Sequence, residues 1–349
     1  MPHTAALSPT MTPADYTEEY EIKNASFGRP HVVLLGAGAS YAAFPKGDKN
    51  GRKLPLLKDF VEVIGLEDLV SSAGIKPPYD DFEAIYSQIA LNTGKADIRE
   101  RIDEKVFLYF ESLELPDEPT LYDHLVLSLR PKDVIATFNW DPFLWNACHR
   151  NRHISENPCV LFLHGSVAIA RCDKCQIVVS RSSMRCSGCG GSLFDIPILF
   201  PVTQKDYNSD PAIAGHWRTL KRALKQAYAF TIFGYSAPKT DVEAIDLLQE
   251  GWGANNNRDL EQIEIIDIQD KDALRESWKS FIHTHHYKVL TSFYSSFAGE
   301  HPRRSCEAMW SQFMDCMFIE PYPMPQNTGF TELYNWLDPR VEAEKEITS

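Results

Sequence analysis

Val134-Ile-Ala-Thr-Phe-Asn-Trp-Asp141 and Cys159-Val-Leu-Phe-Leu-His-Gly-Ser166 are two short apolar runs that each stop at polar side chains. Neither alternates between apolar and polar residues, and both carry β-branched and large apolar side chains. That is the pattern of a strand covered on both faces within a parallel sheet. Asn139 and Asp141 then close one strand, and His164 and Ser166 close the other. Open α/β sheets bind ligands outside the carboxyl ends of their strands, so an amide, a carboxylate and an imidazole meet where a ligand would sit. Taken singly, a His or Asn at a strand end also serves as an ordinary turn or capping residue.

Three further runs extend the pattern. His31-Val-Val-Leu-Leu-Gly-Ala-Gly-Ala-Ser40 reads as a buried strand entering a glycine turn and a helix. Gly36 and Gly38 would let the backbone approach a diphosphate, met by N–H groups at the helix start. Tyr41 stands where a third glycine would complete G-x-G-x-x-G, so the turn alone reads equally as a nucleotide site or a tight turn. Ala229-Phe-Thr-Ile-Phe-Gly-Tyr-Ser236 is another buried strand, and Ile263-Glu-Ile-Ile-Asp-Ile268 places Asp267 near a strand end, where a carboxylate can accept from ribose hydroxyls. Five such strands predict an α/β fold with a Rossmann-like parallel sheet.

The stretches between them read as helix. Residues 51–130 form an inserted helical module, with segments at 54–70, 81–91, 98–113 and 121–129; Ile102, Val106, Phe107 and Phe110 recur at helical spacing. Asp80, Asp81 and Glu83 precede or open one segment and read as caps and dipole partners. Further helices are expected over 213–228, from Asp241, over 273–283 and over 304–318. Asp195-Ile-Pro-Ile-Leu-Phe-Pro201 carries prolines that exclude a central strand and would border a cleft. The sheet domain thus comprises 30–50, 131–170 and 193–300, preceded by an N-terminal arm (1–29) and followed by a helical C-terminal extension (301–349) whose charged tail begins at Asp338.

Cys172-Asp-Lys-Cys175 and Cys186-Ser-Gly-Cys189 form two C-x-x-C pairs, four of the eight cysteines. Four thiolates at this spacing suit tetrahedral zinc, and the small residues around Gly188, Gly190 and Gly191 suit tight knuckles that present N–H groups to sulfur. With every position a thiolate, the metal would be structural. A small zinc ribbon over 171–192 follows.

An apolar fraction of 44% over 349 residues supports a sizeable core. A formal net charge of -13 argues against bulk attraction to nucleic acid or an anionic membrane, and no basic stripe is apparent along the chain. Residues 1–19 lack a basic start and apolar core, and no run approaches the roughly 20 apolar residues of a spanning helix. These features lead us to expect a soluble, cytoplasmic protein without direct nucleic-acid binding.

The order Gly-Ala-Gly-Ala-Ser, Thr-x-Asn-x-Asp, Leu-His-Gly-Ser, paired C-x-x-C and Gly-x-Ser resembles the sirtuin family of NAD-consuming enzymes across residues 31 to about 270. The resemblance implies that Gly36, Ala37, Gly38 and Ser40 hold the NAD+ pyrophosphate. It implies that Asn139 and Asp141 contact the nicotinamide ribose, that His164 is the base, and that Gly234 and Ser236 line the adenosine side. Asp267 falls, by spacing, where an adenosine-ribose contact is usual. Two departures stand out. The family's Ser-Gly-Ile-Pro-x-Phe-Arg segment is replaced by Tyr41-Ala-Ala-Phe-Pro-Lys46, and its peptide-pairing Val-x-Phe-Gly-Glu strand by Ile198-Leu-Phe-Pro201. Trp140, the segment Gly234-Tyr-Ser-Ala-Pro-Lys-Thr-Asp241 and the helical insert look like the sirtuin-like NAD hydrolases of bacterial anti-phage defence, whereas the zinc ribbon looks like the protein deacylases.

Nicotinamide leaves NAD+ as a neutral group, so its glycosidic bond breaks through an oxocarbenium-like ribose. Attack by water gives ADP-ribose; attack by an acyl-lysine oxygen deacylates a protein. The proline at the peptide strand favours water. A module that senses NAD without turnover is a third reading, which the presence of both Asn139 and His164 disfavours. By the same resemblance, homo-oligomerisation and an activating partner such as an ATPase are expected.

Overall fold

A computed structural model describes residues 16–202, 207–237, 241–253, 258, 260–282 and 284–348. Its strands are β1 (His31–Leu35), β2 (Val134–Thr137), β3 (Cys159–Phe162), β4 (Ile169–Cys172), β5 (Ile177–Ser180), β6 (Phe194–Asp195), β7 (Ala229–Phe233), β8 (Gln262–Ile266) and β9 (Tyr287–Leu290). Its helices are α1 (Glu18–Lys23), α2 (Ala37–Ala43), α3 (Phe60–Ile64), α4 (Glu67–Ser72), α5 (Phe82–Ala90), α6 (Ala96–Glu111), α7 (Leu121–Leu127) and α8 (Phe143–Asn151). They continue with α9 (Pro211–Gln226), α10 (Val242–Trp252), α11 (Lys271–Ser277), α12 (Phe297–Glu300), α13 (Ser305–Phe313) and α14 (Phe330–Thr348).

The main sheet is parallel throughout, in the order β3-β2-β1-β7-β8-β9. Counted in order of appearance this is 3-2-1-4-5-6, the doubly wound Rossmann arrangement. The chain reverses direction across the sheet between β1 and β7, where Leu35 pairs with both Thr137 and Phe233. Alternation along β1 divides the core: Val33 and Leu35 pack with the insert, α7 and α8, while Val32 and Leu34 pack with α9, α10 and α11. Both faces are therefore covered, which is why these strands read as unbroken apolar runs. The sixth strand, β9, is half-buried at all four positions and lies at the sheet edge, so it left no comparable run in the sequence.

In the insert, the helix expected over 54–70 is two shorter ones. Gly65, at φ 74°, ends α3 in a left-handed cap before α4 begins. Phe60 stacks on Phe82 at 4.1 Å and joins α3 to α5. Asp81 caps α5 as expected, accepting from the Ala84 N–H at 3.0 Å. The small antiparallel sheet β5-β4-β6 spans Ile169 to Asp195, slightly beyond the cysteine stretch.

Residues 16–25 are packed structure. Tyr16 and His301 both bond Glu21 Oε2, at 2.9 and 2.5 Å, and buried Arg304 bonds the Glu21 and Ile22 carbonyls and Glu344 of α14. The expected charged tail is the end of α14, which continues through Pro339. Among the described residues no helix is long and apolar enough to cross a membrane.

Candidate active site

A cleft of about 950 Å³, counting space open to solvent, lies at the carboxyl ends of β1, β2, β3 and β7. This is the topological switch point, where doubly wound sheets take their ligands. One wall is formed by the turn after β1 (Gly36, Ala37, Ser40), the turn after β2 (Asn139, Trp140, Asp141) and His164. Gly234, Tyr235 and Ser236 follow β7, and the insert supplies Leu54, Leu57, Phe60, Glu83 and Phe110.

The glycines answer first to one another. A Cβ on Gly38 would lie 2.8 Å from the Gly234 Cα, and one on Gly36 would lie 2.7 Å from the Tyr235 Cα. Gly234 sits at φ 63°, a conformation that L side chains rarely adopt. Gly36 N–H donates to Phe233 O and Gly38 N–H to Gly234 O, each at 2.9 Å, so the two turns are laced together. The sequence alone leaves these glycines open equally to a diphosphate and to a tight turn; in the structure the neighbouring strand's turn already requires them.

Behind this turn lies a buried polar cluster. The Asn139 amide donates to Gly36 O and Ser40 Oγ, both at 2.9 Å, and lies 3.3 Å from the Tyr122 hydroxyl. Ser40 donates to Asp141 Oδ2 at 2.7 Å, and the Phe143 N–H donates to Asp141 Oδ1 at 3.1 Å. The Asn139 carboxamide is thereby oriented by its nitrogen, and among the described residues nothing donates to its oxygen. Burial raises the Asp141 carboxyl to about 6, against the Ser40 and Phe143 donors that lower it, and burial likewise raises the Tyr122 phenol.

His164 lies on the other side of the β2 end, against Phe138 at 4.6 Å. Its Nε2 meets the Tyr207 hydroxyl at 3.0 Å; that hydroxyl donates to Asp241 Oδ1 at 3.2 Å, and Tyr235 donates to Asp241 Oδ2 at 2.6 Å. A Tyr207 proton directed at Asp241 leaves the phenol oxygen able to accept from a protonated His164 Nε2. Tyr207, Tyr235, Asp241 and Tyr122 were not among the site residues expected from sequence. They come from loops and helices distant in the chain, and only Asp241 carried a signal, as a helix start.

Ser236 is exposed on the cleft rim. Asp267 is not among the lining residues: its Oδ1 accepts from the Gln269 N–H at 3.0 Å and closes the turn after β8. Residues 238–240, part of the segment that follows Gly234, lie outside the described residues.

The Cys172, Cys175, Cys186 and Cys189 sulfurs all lie within 4.8 Å of one another, with Cys172 and Cys189 at 3.6 Å. A zinc tetrahedron with Zn–S near 2.3 Å has sulfur–sulfur edges of about 3.8 Å, so the donor set fits structural zinc. Cys175 and Gly188 direct N–H groups at sulfur, and a Cβ on Gly191 would lie 3.2 Å from Cys189 Sγ. Arg181 fastens this module to the insert, pairing with Glu111 and lying 4.5 Å over the Phe107 ring.

No family model and no curated protein matches the chain. Among solved structures it is similar to a Sir2 enzyme studied for mechanism and regulation, at 15% identity and TM-score 0.40, over 83% of this chain and 96% of the other. A mutant Sir2 homologue bound to ADP-ribose is 16% identical, with TM-score 0.39, over 84% and 98%. A Sir2 homologue bound to NAD is 15% identical, with TM-score 0.35, over 84% and 95%. At such identities and scores the likeness does not extend to activity.

Proposed function

We propose that the protein cleaves the bond between nicotinamide and ribose in NAD+ and passes the ribose to water, giving ADP-ribose and nicotinamide. The observation that carries this reading is the convergence of Asn139 and His164 on one cleft at the switch point, which the helical insert also lines. Glu83, Asp141 and Asp241 line the cleft and no Lys or Arg does so among the described residues, a balance that suits the cationic nicotinamide ring. In this reading Asn139 fixes the ribose or the attacking water, an effect of position. His164, held by Tyr207, removes the proton from a ribose hydroxyl or that water.

Water is favoured over an acylated peptide by the state of residues 196–201. They form no strand, Leu199 already donates its N–H to His164 O at 2.9 Å, and Phe200 is stacked on Tyr86 at 4.6 Å. Peptide addition needs a free strand edge. A second reading, NAD-dependent protein deacylation, is favoured by the four-cysteine module. Product analysis after incubation with NAD+, with and without an acetylated peptide, separates the two. The proposal expects ADP-ribose without peptide; nicotinamide and O-acetyl-ADP-ribose formed only with peptide would replace it. A role in anti-phage defence through NAD depletion, gated by self-assembly or an activating partner, follows from the motif resemblance and belongs to the same proposal.

A further inference from the structure

A second groove lies between the cysteine module and α9, away from the cleft. The sequence reading found no basic stripe, because Arg218, Lys221, Arg222 and Lys225 are separated along the chain. On α9 they fall at i, i+3, i+4 and i+7 and line one wall together, with Arg171 of β4 across from them. Arg218, Arg222 and Lys225 are exposed. Arg171 is matched by Asp173 and Asp210 and Lys221 by Glu250, whereas Arg218, Arg222 and Lys225 have no acidic partner among the described residues. A cluster of unpaired cations in a chain of net charge -13 is a local reversal of the field.

From this groove we infer a binding site for the phosphodiester backbone of a nucleic-acid duplex, independent of the reading of the cleft. Seven residues of helix advance about 10 Å, and that length of duplex axis carries about three phosphates per strand at 3.4 Å each. The three unpaired side chains along α9, Arg218, Arg222 and Lys225, therefore match the phosphates of one strand. Sites for single strands combine basic charge with aromatic stacking platforms. No Phe, Tyr or Trp lines this groove among the described residues, so it offers charge to a backbone without a surface for bases. Recognition would be independent of sequence.

The test is fluorescence anisotropy of the zinc-loaded full chain with a labelled duplex of about 20 base pairs. Parallel arms use a single strand of the same length and anionic phospholipid vesicles. The variant Arg218→Glu/Arg222→Glu/Lys225→Glu is compared with Lys271→Glu/Arg275→Glu/Lys279→Glu, which makes the same charge change on exposed positions of α11 and the turn after it. Circular dichroism and zinc content establish that each variant is folded. The inference expects wild type and the α11 variant to bind duplex, with affinity falling steeply in salt. The α9 variant should bind at least roughly ten-fold more weakly, and the salt slope should flatten by about 3, near 0.9 per lost phosphate contact. Absence of duplex binding, equal loss in both variants, single-strand binding as tight as duplex binding, or binding to vesicles alone would each overturn it.

Discussion

At the scale of single residues, the site rests on two buried hydrogen-bonded groups meeting at one strand end. Tyr207 ties His164 to Asp241, so Tyr207→Phe would remove this hydrogen bond to the imidazole while preserving the ring that lies 5.6 Å from it. If His164 is the base, this variant should lose roughly 10- to 100-fold in kcat with KM for NAD+ little changed, a part of the 10²–10⁴ typical of general-base catalysis. Steady-state kinetics check this. Asp141 supplies a pH dependence. Its carboxyl, raised by burial to about 6, is protonated below that pH and no longer offers charge to a cationic nicotinamide. The acid side of the wild-type pH–rate profile should therefore carry an inflection near 6, and Asp141→Asn should be slow at all pH values and lack that inflection. Asn139, Asp141 and His164 were legible because each ends an apolar run. Tyr122 and Tyr207 were not, since a tyrosine in a helix or loop looks the same whether or not its hydroxyl reaches a distant carboxylate.

At the scale of elements, the turns after β1 and β7 and the cysteine module position the cleft walls. Gly234→Ala would force a Cβ into the backbone of Gly38 at a positive φ. Strain of this kind costs on the order of 1–3 kcal/mol, and close contact adds to it. The variant should unfold at measurably lower denaturant, by chemical denaturation, and bind NAD+ poorly. Removing zinc with a chelator should lower Tm and release the module from the insert, since β4, β5 and β6 are short and β5 and β6 are half-buried or exposed. Calorimetry with and without chelator, beside Cys186→Ser, reads this out. Five of the six main strands were visible in the sequence because burial on both faces leaves an apolar run. β9, half-buried at the edge, lacked that signature. Gly65 divided the first insert helix because a left-handed cap depends on local backbone geometry more than on apolar period. The basic face of α9 appears only once the helical register is known.

At the scale of the whole molecule, a buried polar chain crosses the sheet and fastens the C-terminal elements to it. Ser305 meets His31 Nδ1 at 2.8 Å, His31 Nε2 meets Thr231 at 2.7 Å, Thr231 donates to Glu264 at 3.2 Å, and the Phe297 N–H donates to Glu264 at 3.0 Å. Burial lowers His31 from 6.5 to about 4 and raises Glu264 from 4.5 to about 7. For His31 the unfolded chain binds more protons between about 4 and 6.5, so its contribution to stability is lost as pH falls through that window. For Glu264 the folded chain binds more protons between 4.5 and about 7, so its contribution is lost as pH rises through that window. The Glu264 displacement corresponds to roughly 3 kcal/mol. Glu264→Gln should therefore gain stability relative to wild type above about 7 and little near 4.5, by denaturant titration at each pH.

The central claim is that this cleft hydrolyses NAD+ without an acyl acceptor. Its most direct test is the initial rate of nicotinamide release from NAD+ by the purified chain alone, with Asn139→Ala and His164→Ala alongside and NAD+ affinity measured for each. The account predicts release with stoichiometric ADP-ribose, abolished in both variants while NAD+ binding persists. Release that survives in both variants, or that begins only when an acylated peptide is added, would contradict it.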